Sequence, residues 1–184
     1  MIINDYSELG PSDFRNLFEK VSSAISERYQ IRVSESERTG KNAIGMYNGN
    51  LIVVKESLSY EKKLFLLAHL FGHCIQWSHE PDKCESVGSF LSSPDPEAED
   101  FEERIRELRA YEEEAAQYSV TLLGTVAEGL EQWLSDWFES DWKYVVGILL
   151  EEDREFCFEQ GHALVGAKDI PEVDIVKMEP KYAY

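Results

Sequence analysis

The segment 60–77 limits the possible folds of this chain more than any other stretch. Its central run, LFLLAHLFGHCIQW, would be apolar on almost every face of an α-helix, and a helix without a polar face belongs in a protein interior. The run is shorter than the stretch of about 20 apolar residues that spans a bilayer. We therefore predict a buried helix around which the remaining elements pack.

Two histidines interrupt this apolar helix. His69 and His73 are four positions apart, so they share one helix face and can bind one metal ion together. A buried imidazole without a partner would cost about 1–3 kcal/mol, so each must either hydrogen-bond or ligate. The alternative interpretation is that they are two unrelated core histidines, each satisfied by its own hydrogen bonds.

A second long helix offers a third ligand. Residues 101–123 follow a helical pattern that ends at Gly124, and their apolar positions form one contiguous stripe at about 100° per residue. Glu112 falls in the middle of this stripe. A carboxylate in a core-facing stripe is unexpected unless a cation faces it.

Together, His69, His73 and Glu112 would form the His₂Glu donor set of a catalytic zinc site, with water in the fourth position. On the same helical wheel, Glu113 lies beside the stripe and Glu114 lies on the opposite, solvent-facing side. The alternative for Glu112 is that it belongs to a solvated acidic run with these two neighbours.

The elements before residue 60 are predicted to be a helix, a strand and a β-hairpin. Apolar residues at three-to-four spacing indicate a helix that opens at Pro11, with Ser12 as its N-cap. Asn48-Gly49 is the strongest local signal for a hairpin turn, and the segment Ser57–Ser59 would end the hairpin and cap the next helix. The strands are expected at 29–33, 43–47 and 51–54.

The remaining segments are less regular. Residues 80–100 are rich in proline, serine and acidic side chains, and we predict a loop there. Residues 126–150 carry three tryptophans at helical spacing and are expected to form two helices or one bent helix. These tryptophans either pack in the core or form a protein-binding surface. Residues 151–184 contain two prolines and are expected to form short strands or an irregular tail.

These elements predict an α+β fold, in which a small twisted sheet with a hairpin is packed by the buried zinc-type helix and further helices. A C-terminal helical region extends it. We divide the chain into a main domain over residues 1–123 and a tryptophan-rich helical extension and tail over residues 124–184, packed on the same domain.

The order helix, strand, hairpin, LIVVKESLSYEKKLFLLAHLFGH and then YEEEAAQYSVTLL resembles the ImmA/IrrE-like zinc metallopeptidase family over about residues 12–123. In that family a zinc helix carries His-Glu-x-x-His, and a later helix with the pattern Glu-x-x-Ala-Asn-x-Phe-Ala supplies the third ligand. His69 and His73 match the two histidines, and Glu112 matches the ligand glutamate. The resemblance implies a metallopeptidase-like domain, zinc as the cofactor, and a role in bacterial or phage regulation, where such peptidases often act on transcriptional repressors.

Two positions depart from the family pattern. Leu70 occupies the place of the catalytic glutamate, and Ala116 stands where Asn or Asp usually orients a ligand. General-base catalysis contributes about 10²–10⁴-fold to a rate, so we assign no catalytic residue. Between Lys62 and Ser78 the zinc helix has no acidic residue to replace Leu70, although a carboxylate from residues 80–100 could reach the site.

We therefore expect a degenerate metallopeptidase-fold protein that acts through protein–protein interaction or regulation, with or without bound zinc. If it holds zinc without a base, the metal would be structural. The alternative is an active zinc-dependent metallopeptidase with an atypical His-Leu-Phe-Gly-His motif, in which the metal alone or a loop carboxylate activates water.

Composition narrows the class of partner. The 184 residues include 18 basic and 36 acidic side chains, a net charge of −18, which disfavours nucleic acid or an anionic membrane as the main partner. We expect a protein partner or a protein substrate. Three cysteines without paired spacing point to a reducing compartment. Since no secretory signal is visible, we predict a cytoplasmic protein.

Overall fold

The computed structural model describes residues 2–38, 44–150, 156–172 and 174–175. Within them the chain folds into five α-helices and one three-stranded mixed sheet, so the predicted α+β class is confirmed. The helices are α1 (Pro11–Tyr29), α2 (Tyr60–His79), α3 (Pro81–Ser92), α4 (Phe101–Gly124) and α5 (Glu131–Leu149), and the strands are β1 (Arg32–Glu35), β2 (Gly45–Tyr47) and β3 (Leu51–Val54).

The first helix, α1, is capped differently from the prediction. Pro11 is the first helical residue, a position where its missing N–H costs no hydrogen bond, and Gly10 is the N-cap. The carboxylate of Asp13 accepts the Gly10 N–H at 2.9 Å. The prediction of Ser12 as N-cap is therefore wrong, because Ser12 already lies inside the first turn.

The sheet has the strand order β1-β3-β2. Strands β2 and β3 form the predicted antiparallel hairpin, with Gly49 in its turn at a φ of 85°, a conformation that glycine adopts without strain. Strand β1 pairs in parallel with β3 and begins at Arg32 rather than at residue 29, because α1 continues to Tyr29. In the strand predicted at 43–47, residue 43 lies outside the described residues.

Helix α2 is the buried central helix, as predicted. Ser59 caps it by accepting the Lys62 N–H at 3.3 Å, and residues 63–76 are all buried. It contacts α1, α3, α4 and the hairpin strands. None of the helices in the described ranges is long and apolar enough to cross a membrane.

Helices α2 and α4 cross closely. At Gly72 an added Cβ would overlap the backbone of Ala115, so the two helix backbones approach each other directly there. One turn away, the Ser119 hydroxyl donates a hydrogen bond across the interface to the Ala68 carbonyl at 2.7 Å. Small residues at these positions therefore set the distance between the two helices.

The segment predicted as a loop over 80–100 instead contains α3. Pro81 lies in its first turn, where proline is tolerated. Cys84 and Val87, one turn apart, are buried in a small apolar cluster that also contains side chains of α4 and α5. This packing stabilises a short helix that is too polar to be recognised from its own sequence.

Helix α5 is continuous, so the segment 126–150 contributes one helix rather than two. Trp133 is completely buried and Trp137 nearly so, and the Trp137 ring stacks on Phe65 of α2 with centroids 5.2 Å apart. These two tryptophans therefore pack in the core. One hydrophobic core contains side chains from α1, α2, α4 and α5.

The described part of the tail, residues 156–172 and 174–175, forms no helix or strand and lies against the helices. Val165 is buried, and the Phe156 ring stacks on Trp137 with centroids 5.4 Å apart. This part is irregular, one of the two predicted possibilities. The same prediction for residues 151–155, 173 and 176–184 lies outside the described residues.

Candidate metal centre

The structure brings together the three side chains that the sequence indicates as metal ligands. Nε2 of His69 lies 3.0 Å from Nε2 of His73. Oε2 of Glu112 lies 3.2 Å from the first of these nitrogens and 3.3 Å from the second. Ligand atoms placed about 2.0–2.1 Å from a tetrahedral zinc ion are about 3.3 Å from one another. The triangle therefore has nearly the size that one zinc ion needs.

All three residues of this triangle are buried. The exposed fraction is 2% for His69, 0% for His73 and 7% for Glu112. Imidazole nitrogens and a carboxylate oxygen are donors that suit zinc and other first-row divalent ions. The group can hold a metal ion, and its donor chemistry fits the zinc that the resemblance implies.

The close crossing of α2 and α4 creates the triangle. His69 and His73 lie on successive turns of α2, and Glu112 lies one turn before Ala115 on α4. Because Gly72 has no Cβ, the Ala115 backbone reaches α2. The Glu112 carboxylate is thereby brought against the two imidazoles.

Gln76 fixes the orientation of His73. Its amide nitrogen donates to the Tyr111 carbonyl at 2.7 Å and to the Glu114 carboxylate at 2.9 Å. The amide oxygen therefore faces Nδ1 of His73, 2.9 Å away. This contact places the proton on Nδ1 and leaves the Nε2 lone pair directed at the triangle, which is the tautomer that a metal ligand requires.

Aromatic rings enclose both imidazoles. The His73 ring stacks on Tyr47 and on Tyr111, with centroids 5.7 and 5.0 Å away. The His69 ring stacks on Phe65 at 5.6 Å. Packed rings leave little room for the imidazoles to rotate, so the donor atoms are held in place by the core itself.

The charges within the triangle are coupled. Burial by itself raises the pKa of Glu112, but the two histidines hold it well below its usual range. Burial lowers the pKa of His69, whereas the Glu112 carboxylate raises it, and the net shift is upward. Positive charge between these atoms is thus favoured. If the residues form a buried ion-paired cluster, a bound proton carries this charge, and if they are metal ligands, a metal ion carries it.

Leu70, at the position of the motif glutamate, faces the sheet. Its side chain is completely buried, and its Cδ1 lies only 2.9 Å from where a Cβ on Gly45 of β2 would be. Leu70 therefore fills core space between α2 and β2 and offers no proton acceptor. Ala116 is also buried and has no polar side-chain atom with which to orient a ligand.

The two acidic neighbours of Glu112 behave differently from each other. Glu113 lies at the side of α4 with its side chain 45% exposed, in keeping with the helical wheel. The prediction that Glu114 faces solvent is wrong, since its side chain is only 16% exposed. It accepts hydrogen bonds from Gln76 and Lys83 and pairs with Lys168. Against the effect of burial, these partners lower the pKa of Glu114 to about 2.

Gln76 is a site residue that the sequence interpretation missed. The available signal is a polar side chain three positions after His73 on a helix that is apolar on almost every face. A polar side chain on such a helix is buried and needs a partner. The suggestion of a loop carboxylate from residues 80–100 stays a prediction, and two of these carboxylates have other partners. Glu80 pairs with Lys83 on α3, and Asp95 accepts the N–H of Glu97.

The fold and the site define the protein as an α+β domain with a buried His₂Glu group that can hold a metal ion. No protein-family model and no curated protein matches the sequence. Among solved structures, the chain is similar to a Mycobacterium tuberculosis transcriptional regulator, with 14% sequence identity and a TM-score of 0.32. The match covers 67% of this chain and 43% of that chain, so it spans less than half of that protein. A likeness of this size carries no conclusion about function.

Proposed function

We propose that this protein binds zinc through His69, His73 and Glu112, in a degenerate metallopeptidase-type fold that resembles the ImmA/IrrE-like family, and acts by binding a protein partner in regulation. The observation that carries the proposal is the triangle of ligand atoms, with sides of 3.0, 3.2 and 3.3 Å, close to the spacing around one tetrahedral zinc ion. The order of helix, strand, hairpin and buried histidine helix supports the same assignment.

In this proposal the metal joins two helices. His69 and His73 lie on α2 and Glu112 lies on α4, so an ion held by all three connects the helices at their crossing. A metal ion that binds only to the folded arrangement adds its binding free energy to the folding stability. Gln76 contributes by keeping the Nδ1 proton of His73 in place.

Leu70 supports a role other than peptide cleavage. A general base contributes about 10²–10⁴-fold to hydrolysis, and the buried Leu70 side chain offers none at the motif position. The net charge of −18 favours a partner with a basic surface, because complementary charge accelerates and orients association.

The second candidate function is an active zinc-dependent metallopeptidase with an atypical motif. Three protein ligands with a fourth position left for water are typical of catalytic zinc sites, and the donor set has this number. Bound zinc lowers the pKa of such a water to about 7. The chain would then have to supply its proton acceptor from outside the motif.

Elemental analysis of the untagged protein tests the metal proposal. We expect about one zinc ion per chain, as in mononuclear His₂Glu sites, and loss of most of it in His69→Ala and in Glu112→Gln. His79→Ala is the matched control, because His79 is exposed at the end of the same helix and should retain the metal. Equal zinc contents in His69→Ala and the wild type would contradict the ligand assignment.

Cleavage of an unfolded protein substrate separates the two candidate functions. We expect no cleavage by the zinc-loaded protein above the level of Glu112→Gln. Cleavage that a chelator abolishes and that Glu112→Gln lacks would instead favour the active metallopeptidase.

A further inference from the structure

Side chains of helix α5 pack against α2, and the two helices run in the same direction, towards the metal centre. The indole N–H groups of Trp133 and Trp137 both donate to Glu61 at the start of α2, at 3.2 and 3.1 Å. One turn further along α2, the Trp137 ring stacks on Phe65 with centroids 5.2 Å apart. Phe65 stacks in turn on His69.

Asp141 lies one helical turn beyond Trp137, just as His69 lies one turn beyond Phe65. Residues four apart share a helix face, so Asp141 is carried to the level of His69. The electrostatics agree with this placement. The charge of Asp141 acts on His69, and the charge of Glu112 acts on Asp141.

Contacts with α4 hold the other side of this stretch of α5. The Arg109 guanidinium lies over the Phe138 and Trp142 rings, 4.5 and 5.2 Å from their centroids. Asp141 lies between these two ring positions along α5, and Glu112 follows Arg109 by one turn on α4. Asp141 is therefore placed where α5 meets both helices that supply the ligands.

The groups that act on Asp141 come from both neighbouring helices. His69 and Lys62 lie on α2, and Glu112 lies on α4. Asp141 is only partly exposed, and burial raises its pKa to about 6, with Glu112 adding to the rise and the two basic groups opposing it. An acidic side chain held where its charge is disfavoured is typical of functional sites.

We propose that Asp141 is a second carboxylate of the metal centre, held by α5 outside the ligand set, where its negative charge offsets that of a bound divalent ion. The inference rests on the proposed metal binding by His69, His73 and Glu112. With neutral imidazoles, one glutamate ligand leaves a divalent ion with one uncompensated positive charge. Asp141 brings the buried centre to neutrality, which favours retention of the ion.

Cobalt(II) binding, followed by its visible absorption, tests this role. Asp141→Asn should weaken Co²⁺ binding by about 10–100-fold, the usual effect of removing a group that supports a ligand. The shape of the spectrum should stay the same, because the three ligands remain. Asp141→Glu should recover most of the affinity. Glu131→Gln, which removes one charge from the first turn of the same helix, should bind Co²⁺ like the wild type.

Thermal unfolding of the metal-free protein distinguishes charge from packing. Because burial disfavours the charged form of Asp141, Asp141→Asn should raise the Tm of the metal-free protein at pH 7 while it weakens metal binding. A lower Tm together with weaker binding would show that Asp141 acts through packing and would overturn the inference.

Two other results would also overturn it. Equal Co²⁺ affinities in Asp141→Asn and the wild type would show that the charge does not act on the ion. A spectrum altered as strongly as in His69→Ala would show that Asp141 is itself a ligand. If the metal proposal itself is wrong, the result is different, because wild type and His69→Ala would then bind Co²⁺ equally poorly. The inference about Asp141 would then be wrong as well.

Discussion

Gly72 lies where α2 and α4 approach each other, and its replacement by alanine tests whether the centre depends on that crossing. An added Cβ would lie 2.2 Å from the Ala115 carbonyl oxygen and 2.7 Å from its carbonyl carbon, whereas ordinary contacts begin at 3.4 Å. Both neighbouring atoms belong to the backbone, so no side-chain rotation relieves the overlap. The helices must therefore separate by about 1 Å, since the packed interior has no space to absorb the overlap.

The expected cost follows from this overlap. Overpacking a core costs about 1–3 kcal/mol, and sometimes more, and we expect about 3 kcal/mol because a helix backbone must move. The higher helix propensity of alanine returns at most about 1 kcal/mol. In a chain of this size 1 kcal/mol shifts the Tm by about 2–4 °C, so a net loss of about 2 kcal/mol should lower it by about 4–8 °C.

Circular dichroism melting of the metal-free protein measures this loss. Gly124→Ala is the matched control, because a Cβ at Gly124, in the last turn of α4, meets nothing within 4 Å and should leave the Tm unchanged or higher. Gly72→Ala should also bind Co²⁺ more weakly, because Glu112 moves with α4. An unchanged Tm in Gly72→Ala would refute the close crossing. A lowered Tm with unchanged Co²⁺ affinity would refute the dependence of the centre on it.

Three further changes test neighbouring features. Leu70→Glu places a carboxylate in core space against Gly45, and urea unfolding should show a loss of about 3 kcal/mol; a variant as stable as the wild type would contradict the packing of Leu70. Glu114→Gln should lower the Tm at pH 7. Because the pKa of Glu114 is lower in the folded protein than its ordinary value of 4.5, its charged form stabilises the fold at pH values above 4.5. That contribution is lost as the pH falls towards 2, so the Tm difference should shrink over this range, and a constant difference would exclude the charge as its source. Gly129 has a φ of 92°, and an added Cβ there would lie 1.9 Å from the Ile3 carbonyl oxygen. Gly129→Ala should therefore speed amide exchange at Ile3, and unchanged exchange would argue against this contact.

The sequence by itself determined the features that depend on local signals. The apolar run identifies α2 as a buried helix, Asn48-Gly49 specifies the hairpin turn, and Ser59 caps the helix that follows. Each of these signals acts over a few residues, so no knowledge of the fold is needed to read it. Glu112 belongs to the same group, because helical periodicity alone shows a carboxylate within an apolar stripe.

The tertiary structure decided the features that depend on which surfaces meet. The segment around Cys84 is helical because it packs against α4 and α5. Glu114 leaves the solvent because Lys83 and Lys168 reach it from other elements. Leu70 faces Gly45 of β2, a strand that comes before the hairpin turn in the chain. A helical wheel contains none of these partners, so it could not predict them.

The placement of Asp141 shows the physical reason most clearly. Periodicity fixes the direction of a side chain around its own helix axis. Contact between two helices depends in addition on where and at what distance they cross, which the packing of the whole core determines. Here the Gly72 crossing brings Glu112 to the histidines, and the stacking of Trp137 on Phe65 sets the level along α2 that Asp141 reaches one turn later.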